Sequence, residues 1–148
     1  MDARTIELLA MSFARVSANK DDAATVFYAR LFTTAPQLRA MFQADLDEQK
    51  QKLMQSLAQI VDFYRIGTDP ERYLGRLGRV HGDYGVQQSH FEAVGDALIF
   101  TLAQILGEDF TPEIRSAWIA AYTEVSATML RNMHSVPSAP PLEAVGRW

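Results

Sequence analysis

The sequence has no cysteine. Disulfides, zinc–thiolate sites, iron–sulfur clusters, other thiolate-held metals and cysteine nucleophiles are therefore excluded. It also lacks any apolar run of the roughly twenty residues needed to cross a bilayer. No membrane partner is expected. The eight glycines form no Gly-x-Gly-x-x-Gly, so a phosphate-cradling dinucleotide loop is missing. Positive charge is not in excess. Fourteen lysines and arginines stand against eighteen acids, giving a formal net charge of -4. The bases are scattered, and an acidic chain has no general pull toward nucleic acid. Sustained apolar–polar alternation is lacking too, which argues against strands.

What is present is a normal globular mixture. Of 148 residues, 48% are hydrophobic and 22% charged, enough for one domain with a substantial core. Asp2, Arg4, Glu7, Arg15, Lys20, Asp21 and Asp22 interrupt the first thirty residues, so no signal-type apolar stretch is read there. Together with the missing cysteines, this leads to the expectation of a cytoplasmic protein.

The apolar spacing is helical nearly throughout. Six stripes start at Ile6, Ala24, Leu53, Leu74, Phe91 and Ile114, each repeating by threes and fours. Leu74, Leu77 and His81 share one face of the fourth. A short helix is expected near Pro36 to Phe42, followed by a polar corner from Phe42 to Asp47. Asp21 and Asp22 are placed to cap the second helix. Asp69-Pro70-Glu71 and Thr111-Pro112-Glu113 read as an N-cap, a proline at the first helical position and an acid in the first turn. Gly67, Gly85 and Gly107 fall where helices should stop. The pattern predicts an all-α domain over residues 1–134, with six to seven helices. Residues 135–148, which contain three of the six prolines, are expected to be a flexible tail.

Three histidines are present. His134 falls at the end of the last helix, and His90 at the start of the fifth, where it is expected at the surface near a cap. His81 differs, because it sits on the apolar face set by Leu74 and Leu77. A histidine there is a hydrogen-bonded core residue or a metal ligand. Tyr28 lies on the inner face of the second helix. Gln49 precedes Leu53 by four residues and so shares its face. A hydroxyl and an amide donor thus converge on the side opposite one imidazole. Each of them, taken singly, also reads as an ordinary half-wet or surface residue.

Six segments then resemble a known family, in order and across most of the chain. They are Phe27-Tyr28-Ala29-Arg30-Leu31-Phe32, Pro36-Gln37-Leu38-Arg39-Ala40-Met41-Phe42 and Gln49-Lys50-Gln51-Lys52-Leu53-Met54. His81-Gly82-Asp83-Tyr84-Gly85-Val86, Phe91-Glu92-Ala93-Val94-Gly95 and Trp118-Ile119-Ala120-Ala121-Tyr122 complete the set. The chain resembles the haem domain of flavohaemoglobins, and more closely single-domain bacterial haemoglobins. The resemblance implies a globin fold around a haem pocket holding haem b, iron protoporphyrin IX. It implies His81 as the proximal iron ligand, with Tyr28 and Gln49 as distal donors and Leu53 as the apolar residue one turn later. Phe42 is implied to stack on the porphyrin, while Val86, Phe91 and Val94 pack on its proximal side beside Leu77. Arg76 and Arg79 are candidates for pairing with the propionates.

Two departures matter. The family's flavohaemoglobins carry a tyrosine and a glutamate behind the proximal histidine, where this chain has Phe91 and Ser135. By resemblance the electron push on the iron is weaker. No reductase segment is read in these 148 residues. The leading expectation is reversible, high-affinity O2 binding with slow release, as in oxygen carriage. The alternative is nitric oxide dioxygenation, making nitrate from NO and O2 with electrons from an external reductase. CO and sulfide are further candidate ligands, and a monomer and a homodimer are equally compatible with the sequence. A haem-free interaction role is disfavoured by His81, and a sensor role by the expectation that no output domain is read in these residues.

Overall fold

The computed structural model describes residues 1–42 and 45–133. Six α-helices follow one another: α1 Ala3–Ala18, α2 Lys20–Thr34, α3 Leu46–Ile66, α4 Glu71–Asp83, α5 Gln88–Leu106 and α6 Pro112–Asn132. Short 3-10 segments cover Pro36–Met41 and Gly107–Asp109. No strand occurs among the described residues, and none of their helices is long and apolar enough to cross a membrane. The expected tail, with His134 and Ser135, lies outside the described residues.

Local chemistry explains the boundaries. Asp2 caps α1 by accepting from the Thr5 N–H at 2.8 Å, and Thr111 caps α6 through its hydroxyl. Pro112 opens α6, as its missing N–H permits. Gly67, Gly85 and Gly107 close α3, α4 and α5 with φ of +89°, +83° and +57°, a region that L side chains avoid. Two expected caps shift. Asp21 and Asp22 lie inside the first turn of α2, where they favour its positive end without capping it. The reason is that α1 and α2 are separated by Asn19 alone, and its amide is spent closing α1 on the Arg15 carbonyl. At α4 the Asp69 carboxylate accepts from the Glu71 N–H, so Pro70 stands just outside the helix rather than at its first position.

The helices pack mainly as two pairs, α2 on α5 and α4 on α6, with α1 lying across α3 and α6. The α4–α6 contact is unusually close. A Cβ placed on Gly78 would run into the Met129 carbonyl, and one on Gly82 into the Met133 carbonyl. The backbones of the two segments therefore touch.

The buried apolar residues form two clusters. The larger joins α1, α2, α5 and the first half of α6, around Leu9, Leu31, Ala97, Leu102 and Trp118. At its centre the Trp118 Nε1–H donates to the Ser12 hydroxyl at 2.8 Å, and Ser12 donates to the Leu8 carbonyl at 2.7 Å. The smaller cluster consists of Leu74, Leu77, Val125 and Met129, between α4 and the second half of α6.

Candidate functional site

A cavity of about 170 Å³ lies where the two clusters meet. Its walls come from α2, α3, α4, α5 and α6. Tyr28, Phe42, Leu53, Leu77, His81, Val86, Phe91 and Val94 all line it. These are eight of the nine residues expected at the site. Leu57, Ile60, Leu98, Tyr122 and Met129 complete much of the wall, and their spacing marked them only as core. Tyr84 and His90 line it as well, although Tyr84 is 44% exposed.

His81 is fixed by its own helix. Its Nδ1 lies 2.6 Å from the Leu77 carbonyl, one turn back. A carbonyl only accepts, so Nδ1 carries the hydrogen and Nε2 the lone pair. Burial pushes the imidazole pKa below its ordinary value, against a smaller opposing pull from the Leu77 carbonyl. The ring is thus held neutral, the form a metal requires.

Tyr28, on α2, also lines the cavity and is only 3% exposed. Its ring meets Phe27 edge-on at 5.1 Å and Phe42 edge-on at 5.5 Å, and Phe42 in turn meets Phe32 at 5.4 Å. This aromatic cluster sets where the hydroxyl points. Burial raises the phenol pKa well above its usual value, so the group remains a donor. It donates to the main-chain carbonyl of Gln49 at 3.4 Å, a long bond. Gln49 is 1% exposed, which rules out the plain surface reading of its polar surroundings. Its side chain is not part of the cavity wall. The two residues therefore meet each other, while only Tyr28 reaches the cavity.

Phe91 contributes its ring to the wall, and its carbonyl accepts from the Tyr122 hydroxyl at 2.6 Å. That bond ties the start of α5 to α6. His90 takes part in capping α5, its Nδ1 accepting from the Gln87 N–H at 3.0 Å. Arg76 is exposed and Arg79 half-buried, and neither lines the cavity.

Among the described residues, no group of three or more histidines and carboxylates is placed to hold a metal ion. Of the two imidazoles in the wall, His90 is engaged through Nδ1 with the Gln87 N–H, whereas His81 keeps the lone pair of Nε2, and one such imidazole in an apolar cavity suits a metal that brings its other ligands with it. A flat macrocycle with central iron meets that description, and the residues present fit haem.

The fold and site together define a small all-helical domain with an apolar cavity walled by α2 to α6. The chain belongs to the globin family, whose model matches residues 25–129. It is 30% identical to the anaerobic nitrite reductase NSHB5 of Oryza sativa subsp. indica over 134 residues, 86% of this chain and 92% of that protein. It is 36% identical to the flavohemoprotein of Deinococcus radiodurans over 108 residues. That match covers 70% of this chain and only 27% of the flavohemoprotein. Among solved structures, a hexacoordinated heme protein from an anhydrobiotic tardigrade superposes with a TM-score of 0.81 at 20% identity, covering 91% of this chain and 96% of that one.

Proposed function

We propose that this chain holds haem b in the cavity through His81 and binds O2 reversibly on the Tyr28 side. The observation that carries the reading is His81 itself: a neutral imidazole, oriented by the Leu77 carbonyl, in an apolar cavity that Tyr28 enters from another wall. When bound, the haem supplies an iron with a position open to a diatomic gas. The chain's residues set how tightly the gas is kept. The Leu77 carbonyl that accepts from His81 is neutral and by itself lends the imidazole little extra basicity. This favours holding O2 over splitting it. The buried Tyr28 hydroxyl donates to a partly negative ligand, and low local polarity strengthens that bond. Phe42 and Leu53 keep water from the same space.

Nitric oxide dioxygenation is the second reading. It is favoured by the 36% identity to a flavohemoprotein, with electrons drawn from a reductase outside these 148 residues. The same Tyr28 wall serves both readings.

Titration of the purified chain with haemin, followed by absorption, tests the core of the proposal. A Soret band at about 400–430 nm that moves on reduction and on adding CO is expected from the chemistry of the cofactor. A His81→Gly variant should lose that signature and regain it with added imidazole. A chain that takes up no haemin overturns the reading.

A further inference from the structure

α4 carries three arginines, Arg72, Arg76 and Arg79, at steps of four and three. That spacing places them on one face of the helix, away from the face of Leu74, Leu77 and His81. Arg72 and Arg76 are exposed and Arg79 is half-buried. Arg4, Arg15, Arg30, Arg65 and Arg131 each pair with a carboxylate. Arg72, Arg76 and Arg79 enter no ion pair among the described residues. Asp83 sits on the same face one turn beyond Arg79, too far for an ion pair with it. Three positive charges against one negative charge make a local basic stripe on a chain of net charge -4.

The position of the stripe gives it a meaning. Arg79 is two residues before His81. Tyr84, both exposed and in the cavity wall, follows in the next turn. The stripe therefore runs along the outer face of the helix that carries the imidazole and stops five residues before Tyr84, which is in the cavity wall. A body seated on it lies about one helix width, ~10 Å, from His81.

We propose that this face of α4 docks an acidic electron-transfer protein that delivers single electrons to the cavity. The proposal rests on the haem reading above. The partner is oxidised by one electron, the ferric iron is reduced by one, and no bond of the chain is made or broken. The stripe runs over eight residues, from Arg72 to Arg79, about 10 Å of helix. That suits the small, charge-steered contacts of redox encounters. A membrane surface is less suited, because basic clusters that hold anionic lipid have about four to eight cations, more than are present here.

The test uses the haem-loaded chain with reduced flavodoxin as the acidic one-electron donor. Reduction of the ferric protein should slow steeply with added salt. In the R72E/R76E/R79E variant it should fall at least about tenfold and lose its salt dependence. The R72Q/R76Q/R79Q variant should lie between, and dithionite should reduce all three proteins alike. Amide shifts on adding flavodoxin should map to residues 72–84 in the parent and vanish in the charge-reversed variant. Equal flavodoxin rates in parent and variant overturn the proposal, as does co-sedimentation with phosphatidylserine vesicles that depends on the same arginines. A chain that takes up no haem defeats the functional reading alone, and the amide shifts still decide for or against the surface.

Discussion

The Tyr28 hydroxyl is where a small change should have the clearest effect on ligand release. Its 3.4 Å bond to the Gln49 carbonyl is long, so little is lost when the hydroxyl turns to a ligand. A Tyr28→Phe variant keeps the ring contacts to Phe27 and Phe42 and removes only the donor. One hydrogen bond in such a pocket contributes about 1–1.5 kcal/mol, so O2 release should quicken about tenfold. Stopped-flow displacement of O2 by CO reads this directly, and an unchanged rate contradicts the donor role. A second residue acts far from the cavity. In a Ser12→Ala variant the buried Trp118 N–H loses its acceptor. That should cost about 1–3 kcal/mol, read as a lower urea midpoint with the slope unchanged. The ordered resemblance to the family's segments brought His81, Tyr28 and Phe42 together in the sequence, and all three line the cavity. The Ser12–Trp118 bond was not, since it joins residues 106 apart with no local signature.

At the level of the helix, α4 positions His81 by lying against the backbone of α6. The glycines at 78 and 82 make this possible, and they left no trace in the apolar periodicity. A Gly78→Ala change puts a methyl into the Met129 carbonyl, so α4 must move away or tilt. The expected destabilisation is about 1–3 kcal/mol, with weaker haemin uptake because His81 moves with its helix. Gly75→Ala is the contrasting case. There the new methyl meets only the Asn132 side chain at 3.3 Å, which can give way, and alanine is the better helix former. Its stability should stay near that of the parent. Urea unfolding of both variants and haemin titration of the first check this pair. Helix ends were easier to read than helix contacts. Gly67, Gly85 and Gly107 announced stops through their backbone freedom alone. The start of α2 was misplaced because one residue, Asn19, serves two helices, and spacing cannot show which of them it caps.

Over the whole molecule, the number and order of helices followed from periodicity, because each apolar stripe had to be buried. The cavity did not follow in the same way. A wall residue such as Leu57 or Met129 has the same spacing as a residue in solid core, and only the fold shows that nothing fills the space before it. Gln49 makes the converse point. Its place on the Leu53 face suggested a donor aimed into the cavity; in the structure its side chain is buried but is not among the residues that line the cavity.

The division of the apolar interior into a large and a small cluster has a further consequence. The buried members of the small one are Leu74, Leu77, Val125 and Met129. Without haem, this part of the chain is the first to open, as weakly supported units do in otherwise intact proteins. Limited proteolysis of the haem-free chain should cut between residues 67 and 87 before any site in α2 or α5. Added haemin should protect the same stretch, and indifference of the cleavage pattern to haemin would contradict this. In a cell, such a segment exposes the empty chain to degradation, so protein abundance would follow cofactor supply without any dedicated regulator.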